Sequence, residues 1–185
     1  MRAALLFRRS LILAVAGMIV LGCAVYLGIN AAVNRAVSAD GEHKARQWAA
    51  FFIEQMPNLN RLIVNGSPDA SQRERIATAE KIGDVFRFKL FDRAGDLTLV
   101  SDESAFAGSD DGNAKALKVM RTGISKVSLN DGTGKKNRPP LYVEAYVPII
   151  DGQGGIRGVV EVNIDQTHTA SLFKTSFAAL SLTLA

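Results

Sequence analysis

The chain has 185 residues, 48% of them hydrophobic and 22% charged, with a formal net charge of +4. That length suits one domain, and a single cysteine, Cys23, excludes a disulfide framework or a cysteine-built metal site. The positive charge does not describe the body of the protein: residues 40–170 hold 17 Lys+Arg against 18 Asp+Glu, and the excess comes from Arg2, Arg8, Arg9, Arg35 and Lys174. A basic nucleic-acid-binding face is therefore not expected, and nucleic acid is not a partner this composition suggests.

From Leu11 to Val33 runs an uncharged stretch in which only Asn30 is strongly polar. At 1.5 Å rise per residue it is long enough for a bilayer core of about 30 Å, and it lacks the polar face of a buried helix. Three arginines precede it and only Arg35 closely follows, so the positive-inside rule predicts a cytoplasmic N-terminus (residues 1–10), a transmembrane helix over 11–33 and an extracytoplasmic remainder. Two alternatives stand beside this. Val37-Ser38-Ala39 resembles a signal-cleavage site, although the apolar run exceeds the usual h-region. Leu21-Gly22-Cys23 hints at lipid attachment, although the apolar run continues well past it.

Helical periodicity then continues. Ala45, Trp48, Ala49, Phe52, Ile53 and Met56 form one stripe, with no break at Ala39 or Asp40, so a long helix continuing the membrane segment is predicted to end at Pro57-Asn58. Ser67-Pro68-Asp69 signals a second helix, with Ser67 as cap and Gly83 closing it. The period then switches to two: Val85–Phe91 and Asp96–Val100 read as a hairpin about Asp92-Arg93-Ala94-Gly95. A polar loop, Ser101–Asn113, precedes a short helix, Ala114–Arg121. Ile124–Leu129, Leu141–Ile150 and Gly158–Asp165 are three further strands, separated by Asn130–Gly134 and Asp151–Gly155 turns. The expected fold class is α+β: a transmembrane helix continuing into a long helix packed on an antiparallel five-stranded sheet, with the domain spanning 36–170. The uncharged residues 175–185 are expected to open a second transmembrane helix; a docked C-terminal tail is the alternative.

Phe88–Gly95, Tyr142–Ile149 with the following Asp151–Gly155, and Gly158–Asp165 resemble the single-Cache (PAS-like, PDC) sensor domains of bacterial transmembrane receptors. The resemblance covers residues 40–168 through element order and soft motifs. It implies a periplasmic domain on the inner membrane, carried between two membrane helices, and a homodimer formed through the long N-terminal helix. It also implies a cytoplasmic output, a cyclic-di-GMP enzyme first, a histidine kinase or chemoreceptor next. A stand-alone anchored binding or scaffolding protein is the rival reading.

Catalytic chemistry is sparse. His43 and His168 stand apart without a second ligand, so no catalytic or metal role is expected, and no cofactor is called for. Asn130–Lys136 lacks the spacing and the hydroxyl of a phosphate loop. Asp102, Asp110 and Asp111 lack EF-hand spacing. Alternation along the strands is more informative. Phe86, Phe88, Leu90, Val143, Ala145, Val147, Val160, Val162 and Ile164 are predicted to share an apolar face against Trp48 and Phe52. Arg87, Lys89, Tyr142, Glu144, Tyr146 and Glu161, with Asn163 and Asp165, fall on the other. That face is either wet, as in many antiparallel sheets, or is covered by the Ser101–Asn113 loop and the short helix to enclose a site for a small polar or anionic metabolite. The ligand-binding set expected is Arg87, Lys89, Tyr142, Glu144, Tyr146 and Glu161.

Overall fold

The computed structural model describes residues 2–101 and 112–183. Ten elements follow one another: α1 (Arg2–Gln55), α2 (Leu59–Asn65), α3 (Ala70–Ala79), β1 (Val85–Phe91), β2 (Leu97–Val100), α4 (Gly112–Thr122), β3 (Lys126–Asp131), β4 (Leu141–Ile150), β5 (Ile156–Asp165) and α5 (Thr167–Thr183). The five strands form one sheet in the order β2-β1-β5-β4-β3, every neighbouring pair antiparallel. This is the α+β arrangement expected, with the long N-terminal helix laid on one face of an antiparallel five-stranded sheet.

α1 is continuous through the Ala39–Gly41 region. Along Leu11–Leu27 its large apolar side chains, among them Ile12, Leu13, Val20 and Leu27, are exposed all round. By length and composition this is a helix able to cross a membrane. Beyond it the helix becomes amphipathic and docks. Trp48 stacks on Phe52 with ring centroids 5.1 Å apart, and both rings meet Phe88 of β1 at 4.9 and 5.0 Å. Around them gather Leu90, Val143, Ala145, Val147, Val160, Val162 and Ile164, the apolar sheet face. Gly41 permits the approach: a Cβ there would lie 2.6 Å from Val143 Cγ2. The Trp48 indole N–H donates to the Ala79 carbonyl at 3.0 Å, fastening α3 to α1.

Several boundaries differ from expectation. α2 was not predicted; Asn58, in the left-handed region at φ 50°, reverses the chain after α1 and starts it, and Gly66 at φ 64° ends it. α3 is capped by Asp69, not Ser67: the Asp69 carboxylate accepts from Gln72 N while the Gln72 side chain accepts from Asp69 N, a reciprocal box that fixes the start two residues later. The helix ends at Ala79, four residues before Gly83. Phe86 is not on the apolar face. The β1–β5 register shifts between Val85 and Arg87, so Val85 takes the core position opposite Ile164 and Phe86 turns to the other side, edge-on to Tyr142 at 5.6 Å.

α5 leaves the end of β5 and packs beside α1. Val33, Val37 and Ala170 are buried together, with Ile29, Phe173, Phe177, Leu129 and Leu141 against them. The two helices therefore meet the sheet at the same end, where Asp131 pairs with Leu141 and Tyr142 with Asp165.

Candidate functional site

The sheet face opposite α1 carries all six residues expected of a binding site. They occupy three adjacent strands in cross-strand rows: Lys89, Glu161 and Tyr146 form one, Arg87, Asn163 and Glu144 the next. Tyr142 lies one step further, opposite Asp165.

The face is not wet. Arg87, Lys89, Glu144, Glu161 and Asn163 are all buried, as are both tyrosines. α4 supplies part of the cover. Its Ala116 and Val119 pack with Phe91, Tyr146 and Val159 in a small second core, and Leu117 sits where a Cβ on Gly95 would intrude, at 2.5 Å. The expected cover by Ser101–Asn113 falls largely on residues 102–111, outside the described residues, as do Asp102, Asp110 and Asp111.

Burying four charged side chains on one sheet face is costly unless each finds a partner. Lys89 Nζ lies 3.2 Å from Glu161 Oε1, a pair only 7% and 1% exposed. The same oxygen accepts from Asn163 Nδ2 at 2.7 Å. Glu144 accepts from Lys115 Nζ of α4 at 2.7 Å, and that ammonium also stands 5.7 Å above the Tyr146 ring. Burial pushes the Glu161 carboxyl above its ordinary range; Lys89 is the main opposing influence, Glu144 adds to the rise, and Asn163 and Tyr146 pull it down. Glu161 Oε2 has no donor in hydrogen-bond geometry among the described residues. The site thus couples an acceptor of raised basicity to two lysines held by carboxylates, with aromatic walls.

A second set of contacts runs along the edge. Arg87 lies 6.0 Å from the Phe86 ring, Phe86 is edge-on to Tyr142, and the Arg138 guanidinium lies 5.6 Å from the Tyr142 ring while donating to its hydroxyl. The β3–β4 hairpin, which carries Arg138, is therefore tied to the site through Tyr142.

Sequence alternation found the six residues but not Lys115 or Phe86. Lys115 could have been found from the short helix itself: it precedes Ala116 and Val119 on the apolar stripe, so it borders the buried side. Phe86 could not, because only the bulge places it there.

Both histidines are exposed, on α1 and at the start of α5. No protein-family model matches the chain, and no curated protein matches it. Among solved structures the chain is similar to the crystal structure of the GAF domain of A. aeolicus nlh2 in an inactive state, at 14% identity, covering 73% of this chain and 91% of that one, with a TM-score of 0.41. So loose a likeness assigns neither ligand nor role, and the Cache resemblance in particular rests on the sequence motifs alone.

Proposed function

We propose that the protein is a membrane-anchored sensory input module that binds a small polar or anionic metabolite on the α4-covered face of its sheet. The observation that carries this reading is the buried constellation of Arg87, Lys89, Glu144, Glu161, Tyr142 and Tyr146 on the sheet face that α4 partly covers. A sheet face needed only for stability is most cheaply covered by apolar groups, since a buried ion pair replaced by well-packed hydrophobes is often neutral or stabilising. A few fixed charges with tyrosine walls is the make-up of a small-ligand site.

In this account α1 crosses the inner membrane with residues 1–10 in the cytoplasm and the domain in the periplasm. α1 and α5, side by side at the membrane-proximal end of the sheet, carry the ligand-dependent change to a cytoplasmic output, and α1 pairs with its copy in a homodimer. A ligand shifts that equilibrium only by its differential affinity for the two states. A cyclic-di-GMP enzyme is the output suggested by the resemblance.

The test is a thermal-shift screen of the full chain in detergent against polar and anionic metabolites. A ligand at about a hundredfold its Kd stabilises by about 2.7 kcal/mol, a rise of several degrees. The reading expects at least one such ligand, with the rise abolished in Arg87→Ala and Tyr146→Ala. A ligand that stabilises both variants as much as the wild type places binding elsewhere and defeats it.

A further inference from the structure

Four lysine and arginine side chains outside the ligand face share one end of the molecule. The register brings the end of β3, the start of β4 and the end of β5 to a single edge of the sheet, where α1 enters and α5 leaves. The exposed apolar length of α1, Leu11–Leu27, projects from that edge. The β3–β4 hairpin projects from it as well, and its tip presents Lys135 and Lys136, both exposed. Lys174 of α5 and Arg35 of α1 are exposed at the same level, each within a turn or so of the Val33–Val37–Ala170 contact.

Between hairpin and α5 lies a cleft of about 480 Å³ whose one cation, Lys174, shares the lining with Thr133, Thr167, Ser171 and Thr175 and with the apolar Pro140, Leu141 and Ala170. Asp131 is the carboxylate in the cleft, its acidity strengthened by hydrogen bonds from Thr133 and by Lys135. The hairpin is held rather than splayed. Gly132 N donates to the Pro140 carbonyl at 3.0 Å, Lys135 N to the Gly132 carbonyl at 2.9 Å, and a side chain on Gly132 would collide with the Pro139 carbonyl. Arg138 is engaged by Tyr142 and stays with the sheet.

We infer that this end of the domain is a docking surface for anionic phospholipid headgroups, with the phosphate taken by Lys174 in the cleft and the surrounding lipids attracted by Lys135, Lys136 and Arg35. The inference rests on the reading of α1 as a membrane span. A basic set adjoining such a span gains from an anionic surface about fivefold per lysine, and loses it to salt. The membrane-facing hairpin is also the one joined to the ligand face through Arg138 and Tyr142, so lipid composition would bias the same element that ligand contacts.

Amide hydrogen exchange of the full chain in vesicles tests this. Vesicles of neutral phosphatidylcholine are compared with vesicles containing about a third phosphatidylglycerol. The amides of 132–138 are expected to exchange at least about fivefold more slowly in the anionic vesicles. The difference should vanish at high salt and in the Lys135→Ala, Lys136→Ala, Lys174→Ala triple variant, whose exposed positions leave Tm unchanged. Equal exchange in both vesicles, with the chain floating with the lipid, overturns the inference and leaves the span intact. A chain that does not float overturns the span and the inference together. Equal protection by inorganic phosphate in neutral vesicles overturns the lipid assignment in favour of a small-anion site.

Discussion

Replacing Lys89 by Met should destabilise the protein in a pH-dependent way that identifies the buried ion pair as the cause. At 3.2 Å and an effective dielectric near 20, the Lys89–Glu161 attraction is about 5 kcal/mol before desolvation. Removing one partner leaves Glu161, 1% exposed, as an uncompensated charge, which costs about 3–5 kcal/mol. For a domain of this size that lowers Tm by about 10 °C or more. The sign of the pH effect follows from Glu161. Its folded-state carboxyl titrates above the ordinary value of 4.5 because of burial, and Lys89 is the main influence holding it down. A group raised on folding contributes stability fully present below 4.5 and lost as pH rises through the folded value. Without Lys89 that value rises further, so the deficit of the variant relative to wild type should be largest near neutrality and shrink as pH falls toward 4.5. Adding Glu161→Gln should recover most of the loss, since it removes the stranded charge. Thermal unfolding followed by circular dichroism across this pH range measures both. A deficit constant with pH, or a double variant no more stable than Lys89→Met, would refute the reasoning.

Three further outcomes test the frame around the site. Gly41→Leu should lower stability by about 1–3 kcal/mol, because the new side chain meets Val143 where α1 crosses the sheet, and Val143→Ala in the same chain should restore part of it; chemical denaturation reads both. Trp48→Phe should cost about 1 kcal/mol in the same assay by removing the indole donor to the Ala79 carbonyl, which keeps only its bond from Ile82 N, with the aromatic stack largely kept. Asp151→Ala should speed amide exchange at Gln153 and Gly155, whose N–H groups donate to that carboxylate at 2.9 and 2.8 Å. The wild-type turn should loosen only at acid pH: hydrogen bonds from Gly155 and Gln153, with Arg157, hold the Asp151 carboxyl below its ordinary value, so its contribution is present above 3.8 and lost as pH falls through the folded value.

What the sequence made legible follows from where one physical signal dominates. Period-two alternation located β1 and β4 to the residue and placed Arg87, Lys89, Glu144 and Glu161 on one face, because each strand is long and its core face uniformly apolar. The Trp48–Phe52 stripe announced the packing of α1 for the same reason. Phe86 was misplaced because its side of the sheet is set by a bulge, a register property shared with β5 and absent from the local pattern. α2 was missed because seven residues give too little periodicity, and its start depends on Asn58 adopting a left-handed backbone. Asp69 rather than Ser67 caps α3 because the reciprocal partner, Gln72, lies three residues beyond Asp69. Burial of the charged face was one of two open readings, since alternation says which residues share a face but not whether a helix closes over it. α4 decides that by packing Ala116 and Val119 onto Tyr146 and bringing Lys115 to Glu144.

The central claim is that the α4-covered face binds a ligand, and the most direct measurement is an isothermal titration of the full chain with the metabolite giving the largest thermal shift, set against Arg87→Ala, Tyr146→Ala and Lys135→Ala. The account predicts affinity falling at least about tenfold in the first two, each of which removes a hydrogen bond or charge contact worth about 1.5–3 kcal/mol, and unchanged in the third, which lies at the hairpin tip. Equal affinity across wild type, Arg87→Ala and Tyr146→Ala would contradict it.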